Sequence, residues 1–266
     1  MRKFCEIPCY GGEIRQTFRV MNASKLAATI FASLSCLASQ SQAATTMDIS
    51  FYGYDSGAGN TPYYSHYSVT NDTNPNFWNG AGTPSTVAIV NMFDSGWGYS
   101  TTVRSSYHVE ALIGGTGNEH AALRSIGWHN YGFSFNLVSN TATISMDGIT
   151  IQTGTYTGPL NYFSFDYNGH TQKSLIDDFS IKIDGSTVYT QNFDSATLDP
   201  AWTISRQDAG ATISSGDTSN PYSGSGALEL GANVSGIVFD LNSVPEPSSL
   251  LLSSLALVGL AARRNR

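Results

Sequence analysis

The segment that decides the fold class is residues 131–151, which read YGFSFNLVSNTATISMDGITI. Apolar side chains alternate with small polar ones on both sides of a Ser139-Asn140 turn, and this period of two is typical of half-buried strands. Asp147-Gly148 follows, a dipeptide that readily adopts the positive backbone φ angles of a two-residue hairpin. The segment therefore predicts three consecutive antiparallel strands.

The same alternation recurs on both sides of this segment. Strands are predicted at residues 163–167 and 176–183, and the second closes on Asp184-Gly185 before another strand at residues 187–191. Weaker candidates are residues 66–70, 87–92, 107–113, 212–214, 228–230 and 237–241. Because no stretch of the body sustains apolar residues at helical spacing, we expect an all-β fold, an antiparallel two-sheet sandwich or jelly roll.

Three motifs in this region resemble those of the concanavalin A-like and laminin-G-like sandwiches. Trp128-His129 opens a strand, Met146-Asp147-Gly148 forms a hairpin, and residues 176–181 read IDDFSI. The resemblance covers residues 120–185 and implies a two-sheet jelly roll. Relatives with this fold often bind glycans or calcium, and some of them cleave polysaccharides.

We expect one sandwich domain over residues 45–242. Residues 192–242 leave two interpretations open, because Leu198-Asp199-Pro200 and the apolar stretch at residues 226–230 also look like the opening strands of such a sandwich. These residues either complete the single sandwich or form a permuted or truncated second module.

Residues 21–43 have the layout of a secretory signal peptide. Lys25 precedes an apolar stretch at residues 26–38, and Ser41-Gln42-Ala43 provides a cleavage site of small residues. Residues 1–20 are too charged to belong to such a signal. We therefore predict that Met21 is the true start and that residues 1–20 are a non-native extension.

The last part of the chain is a three-part tail. Pro245-Glu246-Pro247 is stiff and extended, because proline fixes its own φ angle and restricts the residue before it. Apolar residues 248–262 predict a transmembrane helix of about 22 Å at about 1.5 Å per residue, shorter than the hydrocarbon core of about 30 Å. Arg263, Arg264 and Arg266 predict a membrane stop on the cytoplasmic side.

This tail resembles the PEP-CTERM sorting signal of Gram-negative bacteria, in which a Pro-Glu-Pro motif, an apolar span and a basic end occur in this order. The resemblance covers residues 244–266. It implies an exosortase as partner and transient anchoring in the inner membrane through the C-terminal helix. It also implies delivery to the cell surface or the extracellular matrix.

Composition excludes several classes of function. Cys5, Cys9 and Cys36 precede the predicted cleavage site, so the exported body has no disulfide, thiolate metal site or cysteine nucleophile. Residues 44–243 contain five basic and seventeen acidic side chains, a formal charge of −12. Nucleic acid is not expected as a partner, because its phosphates require clustered Lys and Arg.

The sequence contains no recognised catalytic motif, and we expect no enzymatic activity. Asp177-Asp178 are neighbours in a strand that point to opposite faces, so one of them should bond the backbone instead of forming an acid–base pair. Two further pairs combine a glutamate with a histidine: Glu110 with His108, and Glu119 with His120. Both pairs lack the spacing of known metal or glycosidase sites, so these residues are predicted to be solvated loop residues. His129 is predicted to pack at the start of its strand.

Two regions are candidates for ligand binding. Asp55 and Asn60 delimit an oxygen-rich turn that suits calcium, the one candidate cofactor, although such a turn also forms without a metal. The second region is rich in aromatic residues, whose rings can stack on sugars while neighbouring amides bond the sugar hydroxyls. The alternative is that these rings only pack on the sheet, as aromatic residues of β-proteins usually do. The candidate glycan-binding residues on this basis are Tyr54, Tyr63, Tyr64, Trp78 and Asn79, with His66 beside them.

These observations predict a non-catalytic exported protein of the cell surface or extracellular matrix, with polysaccharide as a candidate ligand. The alternative is a secreted glycoside hydrolase or lyase on a concanavalin A-like fold. A purely structural surface protein without a ligand is the third interpretation.

Overall fold

A computed structural model describes residues 43–55, 63–72, 86–93 and 108–244, and these residues form thirteen strands. The strands are β1 Thr46–Asp55, β2 Tyr63–Thr70, β3 Thr86–Phe93, β4 His108–Ile113, β5 Thr116–Leu123, β6 Gly127–Asn136, β7 Thr141–Met146, β8 Ile149–Thr155, β9 Tyr162–Ile183, β10 Ser186–Gln191, β11 Trp202–Gln207, β12 Thr212–Asp217 and β13 Ala227–Asp240. A turn of 3-10 helix at Leu241–Ser243 follows β13. The prediction of an all-β body is confirmed.

The strands form an antiparallel two-sheet sandwich in which the long strand β9 belongs to both sheets. Its first part pairs with β2 over residues 162–169 and belongs to the sheet in which β2, β3, β4 and β5 follow in that order. Its second part pairs with β1 over residues 175–183 and begins the order β1–β6–β7–β8. On its other side β9 pairs with β13. The sheets face each other, because the rings of Phe51 in β1 and Tyr67 in β2 lie 4.7 Å apart.

Aromatic side chains dominate the core between the sheets. Phe133 and Phe135 of β6 are buried whereas Ser134 and Asn136 are exposed, as the alternation predicted. The largest fully buried side chains are Tyr67, Tyr131, Tyr167, Phe51, Phe133, Phe135, Phe163, Phe165, Phe179, Phe193 and Phe239. Burial of one such side chain is worth about 1.5–3 kcal/mol, so a core of this size stabilises a domain that has no disulfide.

Both predicted two-residue hairpins are confirmed. Asp147 and Gly148 have φ angles of 51° and 77° between β7 and β8. Asp184 and Gly185 have φ angles of 48° and 77° between β9 and β10. Positive φ at both central residues matches the right-handed twist of the flanking strands, which is why these dipeptides are reliable hairpin signals.

Two pairs of predicted strands are single longer strands in the structure. Residues 163–167 and 176–183 both belong to β9, and residues 228–230 and 237–240 both belong to β13. The residues between them lack apolar alternation, yet their backbones pair across the two strands, as Lys173 does with Gly231. A partner distant in sequence keeps these segments extended, which a local pattern cannot show.

The alternation also failed to predict β1, β5 and β11. In β1 the buried residues Ile49 and Phe51 alternate with partly exposed residues that include Tyr52 and Tyr54. Because aromatic side chains lie on both faces of this strand, its sequence does not separate an apolar face from a polar one.

Residues 202–240 are joined to the main sheets by backbone pairing. β11 and β12 pair with β13, and β13 pairs with β9. Trp202 of β11 packs edge-on against Phe179 of β9 and Phe239 of β13, with ring centroids 5.0 Å and 5.2 Å away. The finer assignment to a concanavalin A-like jelly roll stays a prediction.

The two targeting segments fall outside this description. Residues 1–42, with the predicted extension and most of the signal peptide, are not among the described residues, and neither is the predicted helix at residues 248–262. Within the described ranges, the structure contains no helix with the length and apolar character to cross a membrane.

Candidate functional site

The described structure ends where the predicted sorting tail begins. Leu241 is buried, and its amide donates to the carbonyl oxygen of Asn161 at 2.8 Å. Asp240 caps the following turn by accepting a hydrogen bond from the Asn242 amide at 2.9 Å. Val244 is the last described residue and packs against the core. The predicted sorting and membrane-stop residues, Pro245, Glu246, Pro247, Arg263, Arg264 and Arg266, lie outside the described residues.

A cluster of four aromatic side chains lies on the outer face of the sheet formed by β1 and β6. Tyr222 stacks on Tyr52, with ring centroids 3.5 Å apart and 14° between the ring planes. Trp128 contacts Tyr222 edge-on at 5.8 Å and Tyr54 at 5.3 Å. Tyr222 is 42% exposed, so the cluster presents aromatic surface to solvent. We call these four residues the outer aromatic cluster.

Strand alternation places this cluster. Phe51 points into the core, so Tyr52 and Tyr54 on either side of Gly53 point away from it. Trp128 lies directly opposite Tyr54 in the β1–β6 register. Gly53 faces the core, where an added Cβ would lie 2.5 Å from the hydroxyl oxygen of Tyr67. The tight packing beneath Gly53 holds the strand that carries both tyrosines.

Two neighbouring aspartates hold the loop that carries Tyr222. Asp177 is fully buried, and its Oδ2 accepts hydrogen bonds from the amides of Tyr222 and Ser223, each at 3.0 Å. The hydroxyl of Ser223 donates to Asp178 Oδ1 at 2.8 Å. The prediction that one member of the Asp177-Asp178 pair bonds the backbone is confirmed. These bonds fix the backbone at Tyr222, so its ring is positioned before any ligand arrives.

A third aspartate fixes the end of the same loop. Asp194 Oδ1 accepts hydrogen bonds from the amides of Ser225 and Gly226, at 2.5 Å and 3.0 Å. These donors hold the pKa of the Asp194 carboxyl below its usual value, with the Ser225 amide as the largest cause. Gly224 has a φ angle of 59°, and a Cβ there would lie 2.4 Å from Asp194 Oδ1. The loop therefore depends on glycine to pass over this carboxylate.

Carboxylates lie near the outer aromatic cluster. The hydrogen bond with Tyr222 raises the pKa of Tyr52 to about 12, and burial and the negative charges of Asp178 and Asp147 act in the same direction. Tyr52 therefore stays protonated at physiological pH. The indole Nε1 of Trp128 is buried and has no hydrogen-bond acceptor among the described residues. An unpaired buried donor destabilises a protein by about 1–3 kcal/mol.

The structure describes only part of the predicted glycan-binding set. Tyr54 belongs to the outer aromatic cluster, whereas Tyr63 and Tyr64 begin β2, where their backbones pair with Gly169 and Asn168. Trp78 and Asn79 lie outside the described residues. His66 is buried and therefore presents no ring at the surface. Trp128 and Tyr222 were missed: Trp128 was assigned to a structural motif, and Tyr222 lies in a loop rich in Gly and Ser.

The carboxylate of the predicted calcium turn is bound to a guanidinium group. Asp55 accepts hydrogen bonds from Nε and Nη2 of Arg124 at 2.8 Å and 2.6 Å, and both side chains are almost fully buried. Asn60 lies outside the described residues. Within the described ranges, no three His, Cys, Asp or Glu side chains are grouped to hold a metal ion. The calcium prediction remains a prediction, and it requires Arg124 to leave Asp55.

His129 links two of the motifs that suggested the sandwich family. It is buried at the start of β6, as predicted, and both ring nitrogens are hydrogen-bonded. Its Nδ1 lies 2.7 Å from Asp147 Oδ2 in the β7–β8 hairpin, and its Nε2 lies 2.8 Å from the carbonyl oxygen of Ser125. Its role is therefore to join the beginning of β6 to the hairpin.

A chain of buried polar side chains crosses β2, β3 and β4. His66 Nδ1 lies 2.6 Å from Asn91 Oδ1, and Asn91 Nδ2 donates to Glu110 Oε2 at 2.7 Å. The prediction that Glu110 is a solvated loop residue is wrong, because it is 2% exposed in β4 and lies opposite Asn91. His108, Glu119 and His120 also lie in strands, not loops. The pairing of β2, β3 and β4 brings these polar side chains together, so the spacing of residues within one segment could not predict their contact.

Comparison with known proteins identifies the tail. The family model described as the PEP-CTERM protein-sorting motif matches residues 243–266. A comparison with curated proteins finds no match to the chain. The matched region starts in the last turn of the described structure and contains the Pro-Glu-Pro segment, the apolar run and the arginines. The chain therefore carries a PEP-CTERM protein-sorting motif, which indicates an exported protein that is sorted by an exosortase.

Proposed function

We propose that this protein is a non-catalytic component of the cell surface or extracellular matrix, and that its sandwich binds polysaccharide through the outer aromatic cluster. The observation that carries the proposal is the sorting motif, which directly follows a body with a preformed, solvent-facing aromatic surface. Export by this route places that surface where extracellular polymers occur.

In the proposed sorting step, the apolar run at residues 248–262 holds the precursor in the inner membrane, with Arg263, Arg264 and Arg266 on the cytoplasmic side. The exosortase reads Pro245-Glu246-Pro247 on the other side. Supporting this order, Val244 follows a turn that is hydrogen-bonded to Asn161, and the Pro-Glu-Pro segment comes next in the sequence.

In the proposed binding step, sugar rings place their C–H faces on the aromatic rings while polar groups at the rim bond the hydroxyls. Tyr54 and Tyr222 are the contacts that the described residues support best. Further proposed contacts are Tyr63, Tyr64, Trp78 and Asn79. The concanavalin A-like jelly roll also remains a proposal, and it would place these residues on the same surface. Calcium at Asp55 and Asn60 is a secondary proposal.

The sorting half is tested by expressing the full chain and its Glu246→Ala variant in an exosortase-containing host. Fractionation and intact mass should show the parent protein at the surface without its tail. The variant should remain in the inner membrane with the tail attached, whereas Asp208→Ala, which removes an exposed carboxylate of the body, should behave like the parent. A Glu246→Ala protein that reaches the surface at the processed mass would refute the assignment.

The binding half is tested by calorimetric titration of the exported protein with the polysaccharide of the cells that produce it. We expect measurable affinity that weakens in Tyr222→Ala and Trp78→Ala. An absence of binding by the parent protein would leave the third interpretation, a structural surface protein without a ligand.

One observation favours the alternative of a polysaccharide-active enzyme. The chain of His66, Asn91 and Glu110 continues in register to Asp166 of β9, which lies opposite His66. Buried ionisable groups such as His66 and Glu110 are costly and occur often at catalytic sites. Turnover of an acidic or neutral polysaccharide that is lost in Glu110→Gln, with the fold intact by circular dichroism, would replace the non-catalytic proposal.

A further inference from the structure

We infer that the outer aromatic cluster selects polysaccharides whose sugars carry protonated amino groups, as in a glucosamine polymer. This inference deepens the proposed polysaccharide binding and rests on it. It follows from the combination of exposed aromatic rings with carboxylates and from the placement of the nearest cationic side chains.

The rings supply the first half of the recognition. Tyr222 is held flat on Tyr52 by the bonds that Asp177 makes to its loop, so its outer ring face is rigid, and the residue is 42% exposed. Trp128 and Tyr54 extend the aromatic surface along the β1–β6 pair. Aromatic faces attract the C–H face of a sugar, and their electron-rich π systems also attract an ammonium group.

The carboxylates supply the second half. Asp178 bonds Ser223, the neighbour of Tyr222, and Asp147 accepts from the amide of Asn130, two residues from Trp128, with its own side chain 48% exposed. In Asp178, Oδ1 accepts a hydrogen bond from Ser223, and a carboxylate can accept further donors beyond this one. Asp147 Oδ2 lies 2.7 Å from His129 Nδ1, so Asp178 is the carboxylate that places negative charge at the rim of the cluster, where an ammonium group would be attracted.

The nearest described cationic side chains do not offset this charge. The guanidinium of Arg124 is almost fully buried against Asp55. Lys173 is two residues along β9 from Leu175, the partner of Tyr54, and it is paired with Glu229 at 2.5 Å and with Asp217 at 3.2 Å. Lys182 lies opposite Asp48, which is four residues along β1 from Tyr52, or about 13 Å at about 3.3 Å per residue. With a formal charge of −12 over residues 44–243, the surface repels uronic acid polymers and attracts cationic ones.

The test uses the exported protein and four hexasaccharides titrated by calorimetry at about pH 6, where amines with pKa values near 7–8 are protonated. The chitosan hexamer is cationic and the polygalacturonate hexamer is anionic. The other two probes are neutral: the chitin hexamer, which is acetylated, and the cellulose hexamer. We expect the chitosan hexamer to bind about tenfold tighter than the chitin hexamer, because one exposed ion pair and one cation–π contact each contribute about two- to fivefold. Added salt should reduce this ratio.

Two variants with matched controls locate the effect. Tyr222→Ala should weaken binding of every hexamer that binds, because the backbone amide that bonds Asp177 is kept and only the ring is lost. Tyr162→Ala, at the start of β9 in the other sheet, is its control. Asp178→Asn should reduce the preference for chitosan by about two- to fivefold while keeping the fold, since Asp178 has a φ of 48° that asparagine tolerates. Asp208→Asn, in an exposed pair with Arg206, is its control.

The outcomes separate this inference from the function on which it rests. Equal affinity for the chitosan and chitin hexamers, or tightest binding of the polygalacturonate hexamer, would overturn the amino-sugar inference and leave polysaccharide binding intact. The amino-sugar inference alone also fails if the polymer of the producing cells binds and none of the hexamers does. If neither that polymer nor any hexamer binds, the proposed polysaccharide binding fails with it.

Discussion

The substitution Asp177→Asn should release the loop that carries Tyr222 with almost no change in side-chain shape. Asp177 is fully buried, and its two oxygens accept from three backbone amides: Tyr222 and Ser223 at 3.0 Å each, and Asp178 at 2.7 Å. An asparagine has one oxygen and one NH2 group. Whichever way the amide is oriented, the NH2 group faces backbone N–H donors and cannot bond them.

The magnitude follows from these contacts. If the NH2 group faces Tyr222 and Ser223, two hydrogen bonds to a charged acceptor are lost, each worth about 1.5–3 kcal/mol. Part of this loss is recovered, because burial raises the pKa of Asp177 and a neutral amide is easier to bury than a carboxylate. We expect a net loss of about 2–4 kcal/mol in the free energy of unfolding, a large share of the 5–15 kcal/mol typical of a domain.

Urea denaturation at pH 7, followed by tryptophan fluorescence, measures this loss. Asp178→Asn is the matched control, because an asparagine Oδ1 can still accept the bond from the Ser223 hydroxyl, and it should cost under about 1 kcal/mol. A raised pKa means that the stabilising contribution of Asp177 is present below its ordinary value of 3.8 and declines as the pH rises through the folded-state pKa. The gap between parent and Asp177→Asn should therefore narrow from pH 4 to pH 7. A loss no larger than that of Asp178→Asn would refute this account of the loop.

Three further substitutions test other parts of the fold. Burial raises the pKa of Asp166 from 3.8 to about 7, so its contribution to stability is lost over that pH range. In urea denaturation, the free energy of unfolding of Asp166→Asn should equal that of the parent at pH 4 and exceed it by about 1–3 kcal/mol at pH 8. A parent protein that is more stable than the variant at pH 8 would contradict this. Gly53→Ala places a Cβ 2.5 Å from the Tyr67 hydroxyl oxygen and should cost about 1–3 kcal/mol, measured as a lower Tm; an unchanged Tm would show that the core gives way there. Arg124→Met removes one partner of a buried ion pair and should cost about 3–5 kcal/mol by calorimetry. Millimolar calcium that restores part of the Tm in this variant but not in the parent would support the calcium turn at Asp55.

The parts of the fold that are encoded locally could be predicted from the sequence. The β6–β7–β8 meander combines strict alternation with an Asp-Gly hairpin, so a short window contains both the faces and the turn. The continuity of β9 and β13 could not be predicted, because their polar middle segments are extended only through pairing with each other. β1 was missed for a different reason, since Tyr52 and Tyr54 mask the contrast between its two faces.

The same distinction applies to the functional sites. The sorting motif is contiguous, so three short features in order predicted it and the family comparison confirmed it. The outer aromatic cluster is assembled from β1, β6 and a distant loop, and of its members only Tyr54 was predicted. Tyr222 reaches the cluster because Asp177 binds its backbone, a contact across 45 positions of the chain that residue spacing does not reveal.

The shared strand β9 also determines when this protein can reach its native state during export. β9 lies between β1 and β2, from the beginning of the body, and β13, which ends at Asp240. Contacts between such remote segments make folding slow, since a long loop must close before they form. The sandwich can therefore be completed only once the chain as far as β13 is available to pair with β9.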